Sequence, residues 1–137
     1  MSFAEGILNG KSAIVTGGAT GIGSSIVRKL GTLGAKVGIV SRKEENLIAA
    51  VRAFKEDDGI DVAWRTGDVR DPDGIKNSFD ELADEIGGID ILVCNAAGNF
   101  ICPTEELSWN GWRTVIEIDL NGTFNSCQAA LIHLKAA

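Results

Sequence analysis

The segment Thr16-Gly17-Gly18-Ala19-Thr20-Gly21-Ile22-Gly23 carries the clearest chemical signal in the chain. Glycines at 17, 21 and 23 permit a sharp turn and a close approach of the backbone to a bulky anion. When such a turn opens a helix, the first N–H groups and the positive end of the helix dipole are offered to phosphate. The spacing differs from the common G-x-G-x-x-G, and a plain glycine-rich turn is the alternative. A second signal is Ser41-Arg42-Lys43. In a dinucleotide site, an Asp or Glu after the second strand accepts from a ribose 2′-hydroxyl, whereas cations there suit a 2′-phosphate. Two cations and no carboxylate point to NADP through Arg42 and Lys43, with a solvated basic pair as the alternative. Asp68, after the third expected strand, falls near an adenine, whose amine its carboxylate can accept from. A turn or cap leading into Asp71-Pro72 competes with that role.

Asp119 is the candidate for proton chemistry. Val115, Ile116, Ile118, Leu120 and Phe124 make its helix apolar nearly all round, so the side chain is expected to be buried. A buried carboxylate is costly unless paired or protonated, and burial raises its pKa. Such a group donates a proton or orients a water. A hydrogen-bonded structural Asp is the alternative. The chain has no Tyr, which removes one common catalytic acid. Cys94, Cys102 and Cys127 are odd in number and lack ligand spacing, so reduced thiols in an intracellular protein are expected, and no metal site. His133, the only His, is expected on a helix surface without a partner.

Short apolar runs alternate with stretches of helical period, and these elements must position the candidates. Strands are expected over Ser12–Thr16, Lys36–Ser41, Asp61–Thr66 and Ile89–Cys94. The first helix runs from Gly21 to Leu33 with Ile22, Ile26, Leu30 and Leu33 on its apolar stripe, closed by Gly34. Leu47, Ile48, Val51 and Phe54 mark the second helix, and Ile75, Phe79, Leu82 and Ile86 the third, closed by Gly87-Gly88. A long helix follows from about Gly111. Strands separated by helices give βαβ units, a parallel sheet and an α/β doubly wound, Rossmann-like fold. Four strands fall short of the roughly six usual for a dinucleotide domain. Residues 1–137 therefore read as one NADP-binding domain whose C-terminal part is missing, the more so because the final helical pattern has no cap.

Composition sets the outer limits. With 137 residues, 45% hydrophobic and 23% charged, the chain suits a globular domain. A net charge of −6 without a basic face argues against nucleic acid. No apolar run has the roughly 20 residues of a membrane span. The first ten residues lack the pattern of a secretory signal.

Thr16-Gly17-x-x-x-Gly21-x-Gly23, Asp68-Val69, Cys94-Asn95-Ala96-Ala97-Gly98 and Asn121-Gly122-Thr123-Phe124 resemble the short-chain dehydrogenases/reductases over essentially the whole chain. Ala96-Ala97-Gly98-Asn99-Phe100, Pro103, Leu107-Ser108, Asn110 and Ile118-Asp119 narrow the resemblance to 2,4-dienoyl-CoA reductases, the peroxisomal type most closely. Trans-2-enoyl-CoA reductases share Gly18–Gly23, Ser41-Arg42-Lys43 and Gly111-Trp112. The resemblance implies NADPH-dependent reduction of a dienoyl thioester in fatty-acid degradation. A trans-2-enoyl-CoA or 3-oxoacyl thioester reductase, or a non-catalytic NADP-binding module, is the alternative. It implies that Gly17, Gly18, Ala19, Thr20, Gly21, Ile22, Gly23, Arg42, Lys43, Asp68, Val69, Asn95 and Ala96 hold NADP.

Arg42, Arg70, Phe100, Ser108, Trp109 and Asn110 would line an acyl-CoA site, the two arginines pairing with CoA phosphates. A core aromatic is the alternative for Phe100, and surface or interface packing for Trp109 and Trp112. Asp119 stands where most of the family has Asn, and the peroxisomal type resembles this chain in having Asp. The family's catalytic Tyr, with Lys four residues on, would lie beyond the long helix. Lys135 lies on the wrong element to be that Lys. The complete protein is expected to be a homo-oligomer, intracellular and soluble, with peroxisome and cytoplasm both open. An isolated fragment with an unpaired fourth strand is expected to aggregate or oligomerise.

Overall fold

The computed structural model describes residues 2–137. Four parallel strands, β1 (Ser12–Thr16), β2 (Lys36–Ser41), β3 (Val62–Thr66) and β4 (Ile91–Val93), form one sheet in the order β3-β2-β1-β4. The helices are α1 (Gly21–Thr32), α2 (Glu44–Asp58), α3 (Pro72–Ile86), α4 (Trp109–Ile116) and α5 (Gly122–Ala136). A short 3₁₀ turn (Thr104–Glu106) precedes α4, and a π turn (Glu117–Asn121) joins α4 to α5. In β1, Ser12 opposes Lys36 of β2, and Ala13 opposes Ile91 of β4.

Side-chain alternation along the strands sorts the core into two layers. Ile14 and Val40 face one side, with Ile75, Phe79, Leu82 and Ile86 of α3 and Ala129 and Ala130 of α5. Val15 and Ile39 face the other, with Val27 of α1 and Leu47, Ala50 and Phe54 of α2. Helices thus cover both faces of a parallel sheet, which explains why β1 and β2 read as near-continuous apolar runs. The expected doubly wound α/β fold is what forms.

Three local expectations need correction. Ile22 was expected on the apolar stripe of α1, yet it is 76% exposed, because it faces an open cleft instead of the core. The fourth strand is shorter than Ile89–Cys94, since Ile89 packs into the core ahead of it and Asn95 belongs to the next loop. The long helix is interrupted: the N–H of Gly122 bonds back to the carbonyl of Glu117, five residues earlier. This rephases the following turns and leaves Leu120 and Phe124 64% and 62% exposed. Gly122 itself lies tight on Val69, whose Cγ2 would stand 2.5 Å from any added Cβ.

Candidate functional site

Running from β1 through β2 to β3 the sheet winds one way, and β4 then returns to the other side of β1. At such a switch point the loops diverge and a crevice opens past the C-terminal strand ends. A cleft of about 630 Å³ lies there. Gly17, Thr20, Gly21, Ile22 and Gly23 form one wall, and Ser41 and Arg42 after β2 another. Gly67, Asp68 and Val69 after β3, and Asn95 to Asn99 after β4, complete it with Ile118.

The glycine turn is shaped as its sequence requires. Gly17 has φ +65° and Gly21 φ +54°, both in the left-handed region that favours glycine. Gly23 is needed for space, because a Cβ there would sit 2.2 Å from the carbonyl oxygen of Gly17. The N-cap Thr20 makes no side-chain cap bond, so the first N–H groups of α1 keep their capacity for a ligand. Gly21 has nothing within 4 Å of its Cβ direction, so the cradle is open at that point. These features fit the pyrophosphate of a dinucleotide cofactor, and Arg42 adds a cation to the same cleft.

A hydrogen-bonded lock joins the turn to the end of β4. The buried Thr16 Oγ1 accepts from the N–H of Asn95 and of Ala96, both at 3.1 Å. Asn95 Nδ2 donates to the carbonyls of Thr16 and Gly17, also at 3.1 Å. Asn95 thereby positions the turn across the switch point. The part played by Thr16 escaped the sequence reading, as did the cleft positions of Gly67, Asn99 and Ile118. A hydroxyl at the last residue of β1, just before Gly17, was the available signal for Thr16.

Other candidates are distributed more widely. Gly18 is buried against Ile39 and Val27, and Ala19 packs on the same core layer, so both support the turn from beneath. Lys43 is the N-cap of α2 and stands off the cleft lining. Asp68 lines the cleft but is engaged: it accepts from the Arg70 backbone N–H at 2.9 Å and from Arg70 Nη2 at 2.7 Å. The Arg70 guanidinium holds the Asp68 carboxyl below the usual range, with a smaller contribution from the charge of Arg42. Arg70 therefore lies outside the cleft, beside a separate hollow with Pro72, Glu117, Asn121, Phe124 and Asn125. Phe100 and Ser108 line a hollow of about 250 Å³ with Cys102, Leu107 and Gly111. The Ser108 hydroxyl also caps α4, accepting from Gly111 N–H at 2.9 Å. Phe100, Trp109, Asn110 and Trp112 are exposed, so Phe100 is not a core aromatic.

Asp119 is not buried. It is exposed on the π turn, where its Oδ1 accepts from the Gly98 N–H at 2.8 Å. The burial expected for it is not found, because the π turn sets it away from the packed face. It adjoins the cleft through Gly98 and Ile118, both lining residues. His133 also departs from expectation: it is half-buried and paired, with Nε2 2.7 Å from Asp80 Oδ1. Lys76 Nζ holds the other Asp80 oxygen at 2.5 Å. No group of three metal-ligating side chains occurs among the described residues. Among them no helix is long and apolar enough to cross a membrane.

Comparison with known proteins gives a consistent picture. A family model described as short chain dehydrogenase matches residues 11–137. The chain is 41% identical over 133 residues to a peroxisomal 2,4-dienoyl-CoA reductase of Arabidopsis thaliana, covering 97% of this chain and 44% of that protein. It is 42% identical to a probable 2,4-dienoyl-CoA reductase of Bacillus subtilis (strain 168), covering 90% of this chain and 48% of that one. Among solved structures, a gluconate 5-dehydrogenase from Burkholderia cenocepacia J2315 in complex with NADP and tartrate superposes with a TM-score of 0.85 at 31% identity. That match covers 96% of this chain and 51% of the other. The chain thus spans about half the length of the relatives it matches. With its parallel sheet, its glycine turn at the switch point and these matches, the chain belongs to the short-chain dehydrogenase family.

Proposed function

We propose that the chain is the NADP-binding half of an oxidoreductase that reduces 2,4-dienoyl-CoA thioesters. The observation that carries the cofactor reading is the composition of the cleft at the end of β2. Ser41-Arg42-Lys43 follows there, with no carboxylate at the strand end, where NAD selection requires one. The names of the relatives support the substrate class.

In this reading Gly17, Thr20, Gly21, Ile22 and Gly23 hold the pyrophosphate, with Gly18 and Ala19 supporting them. Arg42 pairs with the 2′-phosphate and Lys43 adds to the local positive field. Asp68 and Val69 border the adenine, and Asn95 and Ala96 shape the floor of the cleft. When bound, the nicotinamide supplies a hydride to the conjugated acyl chain. Asp119 serves the accompanying proton transfer from the cleft rim, and its bond to Gly98 fixes the loop beside the reacting chain. Phe100, Ser108, Trp109 and Asn110 present an apolar and hydrogen-bonding surface to the acyl thioester. Arg70 meets CoA phosphate from outside the cleft, with its fork already oriented by Asp68.

The test measures NADPH and NADH binding to the whole natural protein and to its Arg42→Ala variant. The expected result is a preference for NADPH that falls roughly tenfold or more in the variant, the worth of one charge-assisted pair. Equal affinity for both cofactors in the unmodified protein would overturn the NADP reading. Oxidation of NADPH with a 2,4-dienoyl-CoA supports the substrate class. Turnover of a 3-oxoacyl or simple enoyl thioester alone overturns it.

A further inference from the structure

Cys94 follows β4 directly, and Cys127 lies on α5. Their sulfurs are 4.0 Å apart in hydrogen-bond contact, and both residues are exposed free thiols. A disulfide has its sulfurs about 2.05 Å apart, so closure asks for an approach of roughly 2 Å. No third ligating side chain stands with them among the described residues, so the pair is not part of a metal site. Neither thiol lines the nucleotide cleft.

We propose that Cys94 and Cys127 form a dithiol modification site, which closes to an intramolecular disulfide on reaction with a low-molecular-weight disulfide of the glutathione class. Cys127, as thiolate, attacks one sulfur of the small disulfide. A bond forms between Cys127 and that sulfur, and the other half leaves as a thiolate that takes up the released proton. Cys94 then gives its proton to solvent base and attacks the Cys127 sulfur. The second small thiolate leaves and is protonated in turn. Two protein thiols are oxidised and one small disulfide is reduced to two thiols.

The surroundings of Cys94 govern its readiness to close the ring. Desolvation first, then the charge and hydrogen bond of Cys127, push the Cys94 thiol up to about 11. Cys94 therefore gives up its proton reluctantly, and the rate of ring closure rises with pH.

The consequence is topological. The bond joins residues 33 positions apart and encloses the segment between them. That segment contains Asn95 to Asn99 and Ile118 of the cleft lining, together with Asp119 beside it, so oxidation restrains one wall of the cleft. The chemistry itself is independent of which cofactor or substrate the cleft takes.

The experiment treats the whole natural protein, with Cys102→Ser as background, with glutathione disulfide before alkylation and peptide mapping. The expected product is a single chain lighter by two hydrogens, with a linked peptide pair joining positions 94 and 127. Its unfolding midpoint rises by several degrees, as restraint of the unfolded chain predicts, and dithiothreitol reverses the rise. The Cys94→Ser variant is expected to stop at a glutathione adduct on Cys127. Separate adducts on both thiols, linkage of either to another cysteine or another chain, or no reaction would overturn the proposal.

Discussion

Thr16 and Gly23 show how much of the cleft rests on single atoms. The Thr16 hydroxyl accepts from two backbone N–H groups that arrive from the end of β4, at 3.1 Å each, and the Asn95 N–H also reaches the Val93 carbonyl at 3.1 Å. Thr16→Val keeps the shape of the side chain and takes the hydroxyl acceptor from the half-buried Ala96 N–H, while Asn95 N–H keeps the Val93 carbonyl. The expected cost is about 2 kcal/mol of stability, read as a lower denaturant midpoint with an unchanged slope. Gly23→Ala acts differently. Its methyl would stand 2.2 Å from the Gly17 carbonyl and 2.5 Å from Asn95 Nδ2, so the turn and its lock must both move. Nucleotide affinity is expected to fall at least about tenfold, while far-UV circular dichroism keeps its folded signature. Titration of NADPH fluorescence checks it, and an unaltered affinity would show that the turn does not meet the ligand.

At the scale of elements, legibility in the sequence tracks how local each cause is. Ser12–Thr16 and Lys36–Ser41 match the observed strands residue for residue, because burial on both faces writes itself as an apolar run. Ile75, Phe79, Leu82 and Ile86, expected on one face of α3, are all buried. The glycine turn was equally plain, since its requirements are those of backbone and spacing. Asp119 was misjudged because a period of about 3.6 residues was carried through Glu117–Asn121, where the hydrogen bonds span five residues instead. The tight seat of Gly122 on Val69 is a tertiary contact that no helical pattern records. The Asp80–His133 pair, 53 residues apart, was invisible for the same reason. That pair ties α3 to α5 and makes a pH prediction. Asp80 is held below the usual carboxylate range by the Lys76 hydrogen bond first and His133 second. The folded chain thus binds the Asp80 proton more weakly than the unfolded chain does. The resulting stability is present above the unfolded carboxylate range, about pH 4, and is lost as pH falls through the lower folded value. Asp68, held low by Arg70, contributes with the same sign. Asp80→Asn is expected to reduce the acid-induced drop in unfolding midpoint, measured between about pH 6 and about pH 2. An identical drop in variant and parent would remove Asp80 from the account.

At the scale of the whole molecule, two of the apolar surfaces left open by the described residues bear on association. One is the free edge of β4, expected from the sequence to be long. It spans only Ile91–Val93, and short edges are poor templates for further pairing. The other is the outer side of α4 and α5. Trp109 is 72% exposed there, Phe124 62% and Ile132 67%. Exposed apolar residues concentrated on adjoining helices mark an association surface. The 137-residue chain on its own is therefore expected to self-associate through the helices rather than through the strand edge. Light scattering on a size-exclusion column checks this, and a monomer with cooperative unfolding would contradict it. A double variant, Phe124→Lys with Ile132→Lys, separates the two surfaces. Both positions are already solvent-exposed, so the lysines cost the fold little while adding like charges to the helical face. Association through α5 predicts a shift toward monomer, whereas association through β4 predicts no change.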